Sequence, residues 1–408
     1  MRILILTPQL PYPPHQGTSL RNYHIIRGLA QNHEVTLLSF VEPEQDTDAE
    51  TLRPLTSLCH HIERVAAPQR TNFTRLRQLL FSRLPDMAHR LYTPMFDIRL
   101  RQLLQQNQFD VVQVEGIELA RYLTVIKKHS PDSRLIFDNH NAETELQRRN
   151  LETDRANPKR WLAAFYSRIQ VGRLARFERW ALETADATTA VSDTDRDHLQ
   201  KLAPNATITT IPNCIDATAY ADDEDKEAIP FDLMFSGKMD YRPNIDAVLW
   251  FAEAVWPRIK AKRPQTTWAI VGQKPHDRLT HLGEMEGVTL TGWVESIRPY
   301  LRGASLFIMP FRIGSGTRLK LIEAMAAGKA IVSTPVGAEG FPVTHEQEVW
   351  LAETEEEMAT AVLTLLDDPL TKTRLGQQAR QFAQQYDWRV VIPAFEKLYD
   401  EGRRTNDR

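Results

Sequence analysis

The turn Gly314-Ser315-Gly316-Thr317 stands directly ahead of the helical pattern RLKLIEAMA. Such a turn exposes backbone N–H groups where a helix leaves its first four unpaired. Those amides and the helix dipole attract an anion, typically a phosphate. The amides of Gly316, Thr317 and Arg318 are candidate donors, and the side chains of Arg318 and Lys320 are candidate counter-charges. Glycine-rich turns also precede helices that bind nothing, and both cations would suit a solvated helix surface. The loop alone therefore leaves a phosphate cradle and a plain turn both open. Glu323 follows the loop on the same helix, among the apolar residues Leu321, Ile322, Ala324 and Met325. These neighbours argue against a mere surface charge, and a carboxylate there can accept hydrogen bonds from paired hydroxyls.

A second centre of chemistry is His140. It follows the apolar run LIFDN, which places it at the carboxyl end of a buried strand, where α/β sheets bind ligands. An imidazole titrates near neutrality and can hydrogen-bond a hydroxyl or help deprotonate it; the alternative is a satisfied structural histidine. Glu143, one helical turn on, is placed to orient it, whereas strand alternation turns Asp138 to the opposite face unless the strand has ended. Two acidic series imitate metal sites. Asp193, Asp195 and Asp197 open a helix with Ser192 and Asp195 spaced as a capping box, and Asp222 to Asp225 lie in a polar linker, so neither is expected to hold a metal.

Those groups need a scaffold, and apolar strand-like runs alternate with helical patterns along the chain. The first series is 2–6, 34–40, 110–116, 134–140, 187–192 and 207–212; after the acidic stretch TAYADDEDKEAIP a second follows at 233–237, 267–272, 288–293, 305–310, 330–334 and 349–353. Continuous apolar strands separated by helices indicate parallel sheets covered on both faces. The pattern predicts α/β architecture with two successive doubly wound, Rossmann-like domains. Residues 1–217 form the first, 218–385 the second, and 386–408 a helix crossing back onto the first. Helices are expected at 20–31, 244–262, 296–303, 317–328, 355–367 and 370–384.

A length of 408 residues exceeds one ordinary core, and 42% hydrophobic with 25% charged residues is the composition of a globular protein. Cys59 and Cys214 match no metal or redox spacing and suggest a reducing compartment. The N-terminal apolar run is far too short to span a membrane and reads as a buried strand. The net charge of −3 is uneven: residues 51–180 carry 22 Lys and Arg against 13 Asp and Glu. Within them TRLRQLLFSRL (74–84) and RWLAAFYSRIQVGRLARFERW (160–180) read either as helices packed on a sheet or as basic amphipathic helices suited to an anionic membrane surface. No nucleic-acid motif is present.

Several motifs occur together in a telling order: PQLPYPPHQGTSLRNY (8–23), IFDNHNAE (136–143), TAVSDTDRDHL (189–199) with IPNCID (211–216), FSGKMDYRPN (235–244), LTGWVESIRPYL (290–301), and the stretch from Pro310 to Val332. Over nearly its whole length the chain resembles bacterial glycosyltransferases of the GT-B fold, family four. More narrowly, its G-S-G-x-R-x-K loop resembles that of sugar transferases from exopolysaccharide or lipopolysaccharide gene clusters.

The resemblance implies transfer of a sugar from a nucleoside-diphosphate donor to a glycan or lipid-linked acceptor, with retention of configuration and without a metal or other cofactor. It implies that Lys238 binds the diphosphate, that Gly316, Thr317, Arg318 and Lys320 surround it, and that Glu323 holds the ribose. Val294 would pair the base through its backbone, and Gly17 would let the N-terminal backbone approach the phosphates without a side chain. His140 and Lys238 would serve catalysis, with Arg21, Asn141 and Glu143 on the acceptor side. Ser315 stands where the family's glutamate–x7–glutamate pattern has its first glutamate, which leaves the transferred sugar open. The two cysteines and the basic tracts, rather than the resemblance, point to a cytoplasmic location, peripheral to the inner membrane face. The alternatives are a sugar-nucleotide epimerase and a non-catalytic sugar-nucleotide binder of the same fold; a dehydrogenase would need G-x-G-x-x-G after the first strand, which is absent.

Overall fold

The computed structural model describes all residues except 15–16, 44, 46–47, 156–160, 222–226, 274, 315 and 402–408, and in addition the side chains of 153–154, 162–163 and 221 are left out. Two compact units emerge: Met1–Cys214 with the final segment from Val391, and Ile215–Val390. Asp222 to Asp225 and Ser315 lie outside the described residues.

The first unit holds seven strands: β1 Arg2–Thr7, β2 Glu34–Val41, β3 His61–Ala66, β4 Val111–Glu115, β5 Arg134–Asn139, β6 Ala187–Ala190 and β7 Ile208–Thr210. They lie in the order β3-β2-β1-β4-β5-β6-β7, and every pairing is parallel. The second unit holds six: β8 Phe231–Ser236, β9 Trp268–Val271, β10 Val288–Gly292, β11 Ala304–Met309, β12 Ala330–Ser333 and β13 Trp350–Leu351, again all parallel, in the order β10-β9-β8-β11-β12-β13. In both sheets the order reverses beside the unit's first strand, between β1 and β4 and between β8 and β11. Helices cover both faces, so the inner strands bury side chains in both directions: Ile3, Leu4, Ile5 and Leu6 are all buried. Each such side chain contributes roughly 1.5–3 kcal/mol on full burial.

One strand was not legible. β3, HIERVA, carries charges within the run and is only partly buried. It lies at the sheet margin, where polar residues are tolerated and protect the open edge. The helix expected over 244–262 is Arg242–Trp250, a π-turn Phe251–Val255, and Trp256–Lys262. Pro257 lacks an N–H to continue the ladder, which accounts for the adjustment just before it.

The first unit is pinned by a buried ion pair. Arg21, on the helix Gly17–Leu29, is 1% exposed. Its Nε and Nη2 donate to Asp138 at 3.0 and 2.9 Å, and its Nη1 and Nη2 reach the carbonyls of Pro212 and Ile211 and Oδ1 of Asn213. The whole guanidinium fork is thereby used inside the unit. The last helix, Trp388–Asp400, returns to this unit from Val391 and stacks Phe395 under the Arg21 guanidinium, 5.6 Å from ring centroid to Cζ. Replacing Arg21 by Met leaves Asp138 buried and unpaired. Urea unfolding is expected to show a loss of about 3–5 kcal/mol, with partial recovery when Asp138→Asn is added.

Candidate functional site

In the first unit the polar groups gather at the carboxyl ends of β4 and β5. Glu115 closes β4 fully buried, and His140 follows β5 with its ring 17% exposed. His140 Nε2 lies 2.8 Å from Glu115 Oε2. Behind them, Gln113 Nε2 donates to Glu115 Oε1 at 2.5 Å, and the Tyr399 hydroxyl of the last helix donates to Gln113 Oε1. Asp138 belongs to the same cluster, against the expectation that it faces away, and that expectation misapplied strand alternation. Residues two apart share a face, and the Arg21 fork on its carboxylate fixes it there.

These neighbours divide the protonation states. Burial pushes Asp138 up, but Arg21 and then His140 override it and hold the carboxylate well below its usual range. Glu115 has only partial compensation: burial, then the Asp138 charge, push it up to about 7 against the pull of His140 and Arg21. Burial alone would lower His140, yet the Glu115 hydrogen bond and the charges of Asp138 and Glu115 raise it. Ligand atoms of Glu115, Asp138 and His140 lie within 4.8 Å of one another, so the trio could hold a cation. The Arg21 guanidinium already supplies that positive charge, and both Asp138 oxygens are bonded to it.

Asn141 and Glu143 open the helix Glu143–Arg155. Asn141 Nδ2 donates to Glu143 Oε1 at 3.0 Å, so Glu143 is engaged by Asn141 while Glu115 orients the histidine. Burial first, then Glu118, push Glu143 up to about 8. The helix start is capped from outside the helix: buried Glu178 accepts from the amides of Glu143 and Thr144, and Asp195 accepts from that of Ala142. Asp195 is thus a structural acceptor, itself held by Ser192, and the Asp193–Asp197 series forms no metal cluster among the described residues. Arg21, expected on the acceptor side, has its donors engaged by Asp138 and the 211–213 turn.

In the second unit the turns leaving β8 and β11 open at the point where the strand order reverses, the position at which such sheets bind ligands. Lys320, early in the helix Leu319–Ala326, donates to Ser236 O at 2.7 Å and to Asn244 Oδ1 at 3.0 Å. Asn244 in turn holds the carbonyl of Lys238 at 2.8 Å, which ties the turn to the helix. A Cβ on Gly237 would lie 2.5 Å from Lys320 Nζ and 2.7 Å from Asn244 Nδ2, so a side chain there would displace both groups. The Lys320 ammonium also lies 4.8 and 5.1 Å from the ring centroids of Phe235 and Phe311, and Arg318 Cζ lies 4.0 Å from that of Phe311. Burial, then the like charge of Arg318, lower Lys320 to about 7. Neither cation is a solvated surface charge.

The helix begins at Leu319 with Arg318 as its cap, two residues later than the pattern suggested. Gly316 and Thr317 precede it, Gly316 in the left-handed region at φ +78°, which favours glycine. Glu323 accepts a hydrogen bond from the Tyr220 hydroxyl at 2.6 Å. Burial raises this carboxyl, opposed by Tyr220, Lys320 and Arg298. Lys238 is half-exposed, 3.9 Å from Asp240, Val294 lies in the turn after β10, and Gly17 is the exposed first residue of its helix. Reading from sequence missed Glu115, Tyr220 and Asn244. A charge ending the apolar run VVQVE was the available signal for Glu115; Tyr220 is near its partner only through the fold.

Glu115→Gln removes the hydrogen-bonded charge that does most to lift His140. The titration midpoint of the His140 ring, followed by NMR, is expected to fall, since the Asp138 charge alone then opposes burial. In the parent protein both partners bind protons more tightly folded than unfolded. The pair therefore stabilises most in mild acid and loses that contribution as pH rises past about 7.

Comparison with known proteins identifies the fold and the family. Residues 16–219, half the chain, match the family model described as Glycosyltransferase Family 4, and residues 230–368 match Glycosyl transferases group 1. A phosphatidyl-myo-inositol mannosyltransferase of Mycolicibacterium smegmatis is 23% identical over 324 residues, 77% of each chain. A glycogen synthase of Mycobacterium tuberculosis is 26% identical over 258 residues, 60% of each chain. The solved structure of Anabaena HepE in complex with UDP and glucose has the same fold, with a TM-score of 0.64 over 98% of this chain and 100% of that one at 15% identity. With two parallel α/β sheets of the GT-B type and both halves matched, this chain belongs to glycosyltransferase family 4.

Proposed function

We propose that this glycosyltransferase takes a nucleoside-diphosphate sugar as donor and passes the sugar, with retention, to a hydroxyl of a glycan or lipid-linked acceptor. The observation that carries this reading is the Lys320 ammonium held against Ser236 O and Asn244 at the switch point of the second sheet, on the helix that also bears Glu323. As the glycosidic bond breaks, its electron pair leaves with the diphosphate, and the acceptor oxygen bonds to the anomeric carbon. Fixed cations and amides stabilise the charge that grows on the phosphate. Lys238, Lys320 and the amides of Gly316, Thr317 and Arg318 would do so here, with no metal required. The departing phosphate would take the acceptor proton. Glu323 would exchange its Tyr220 hydrogen bond for ribose hydroxyls, and Val294 would meet the base. His140, its ring oriented by Glu115, would bond the sugar or the acceptor hydroxyl, with Asn141 and Glu143 beside it. The G-S-G-x-R-x-K loop supports a place in surface polysaccharide synthesis, and the basic tracts support work at the cytoplasmic membrane face.

Thermal unfolding with UDP, GDP, ADP and TDP tests the reading. One nucleotide, UDP first in view of the Anabaena likeness, is expected to stabilise by about 2.7 kcal/mol at a hundredfold excess over its dissociation constant, and Glu323→Ala to abolish the shift. No shift with any of the four would overturn it.

Lys320 adds a second check. With its pKa lowered to about 7 it is largely neutral at pH 8, and an arriving diphosphate favours the ammonium. Calorimetry at pH 8 in buffers of different ionisation enthalpy is expected to show net proton uptake on nucleotide binding. Affinity should weaken as pH rises past 7, and Lys320→Met should lose both effects.

A further inference from the structure

One face of the first unit is built with apolar side chains outward. The helix Asn72–Phe81 has no buried residue, and its Phe73, Leu80 and Phe81 are 76, 66 and 84% exposed. On the helix Trp161–Thr184, Trp161 and Phe165 are 66 and 63% exposed. Single exposed apolar residues are ordinary, but a set of this size marks a surface that is covered in use.

Against Asn72–Phe81 lies a cavity of ≈ 220 Å³ that Leu76, Leu79 and Leu84 border together with Arg75, Asp86 and Arg173. Polar bonds close it. Arg70 pairs with Asp86 at 3.0 Å, the amide of Asp86 donates to Gln170 at 2.9 Å, and Arg173 Nη2 donates to the carbonyl of Leu79 at 2.9 Å. The helix is tied to Trp161–Thr184 by a polar bond as well as by Leu76 and Leu79 at the cavity, and it sends Phe73, Leu80 and Phe81 outward, where a helix packed on a core would turn its large apolar residues inward.

Charge indicates the occupant. Residues 68–85 contain Arg70, Arg75, Arg77 and Arg83 and no acid; residues 161–177 contain Arg168, Arg173 and Arg176 and again no acid. Arg77, Arg83, Arg168 and Arg176 are exposed. Large apolar side chains interspersed with arginines, without a carboxylate between them, match the boundary between phosphate headgroups and acyl chains. We propose that this face docks on an anionic lipid bilayer: Phe73, Leu80, Phe81 and Phe165 enter the acyl boundary, and the exposed arginines meet lipid phosphates. The docking surface uses none of the residues assigned to donor or acceptor and does not depend on the donor assignment.

Co-sedimentation with vesicles tests it, comparing phosphatidylcholine alone with phosphatidylcholine containing about a third phosphatidylglycerol. The full chain is expected to partition about tenfold more strongly onto the anionic vesicles at low salt, and to lose most of that preference as salt rises. The combined variant Phe73→Ser, Leu80→Ser, Phe81→Ser should lower anionic partition about tenfold with an unchanged unfolding midpoint, because these side chains touch no core. Arg77→Gln with Arg83→Gln should reduce the salt dependence. Equal sedimentation on both vesicles, or undiminished binding by the triple serine variant, overturns the proposal. So does a concentration-dependent dimer seen by light scattering and abolished by that variant without vesicle binding, which would assign the face to a second copy.

Discussion

The electrostatics of the first unit depend on one guanidinium, Arg21, sealed among β5, the 211–213 turn and the last helix. It fixes Asp138 as an anion in a place where burial opposes charge. That anion helps keep His140 protonated and drives Glu115 toward its neutral form. One ion pair thus adds to the Glu115 hydrogen bond in favouring the protonated form of His140. The arrangement illustrates why a buried pair is costly to break even where its net contribution is modest: each partner is the other's replacement for water.

The second unit solves a related problem with opposite sign. Lys320 is taken out of water, stacked near two phenylalanine rings and bonded to a strand-end carbonyl, so its ammonium is weakened to about 7. A cation held in this state gains from an arriving anion more than a solvated lysine does, since little water must be stripped from it at that moment. Glu323 and Tyr220 are likewise paired with one another. In both units the polar groups lie at the carboxyl ends of parallel strands because the sheet faces are filled by helices, and the strand ends are the remaining place where a polar side chain can meet a ligand.

Much of this was legible in the chain. Continuous apolar runs such as RILIL and SLFIM require strands buried on both faces, and their alternation with helical patterns requires parallel sheets. The edge strand HIERVA was not legible, because an edge needs no apolar periodicity. The loop before Lys320 and the position of His140 could be read as candidate sites from residue type and spacing. Their partners could not: Glu115 stands 25 positions before His140, and Tyr220 stands 103 before Glu323.

The amino-acid sequence by itself determined the α/β class, the two sheets and the strand ends at which chemistry gathers, because hydrophobic periodicity and turn composition act locally along the chain. Only the tertiary structure decided the electrical character of the groups found there. Whether Arg21 serves the fold or a ligand, whether Lys320 is solvated or half-neutral, and whether Glu115 or Glu143 meets His140 all depend on which distant side chains share the space. That is a matter of burial and distance in three dimensions, and residue spacing carries no record of either.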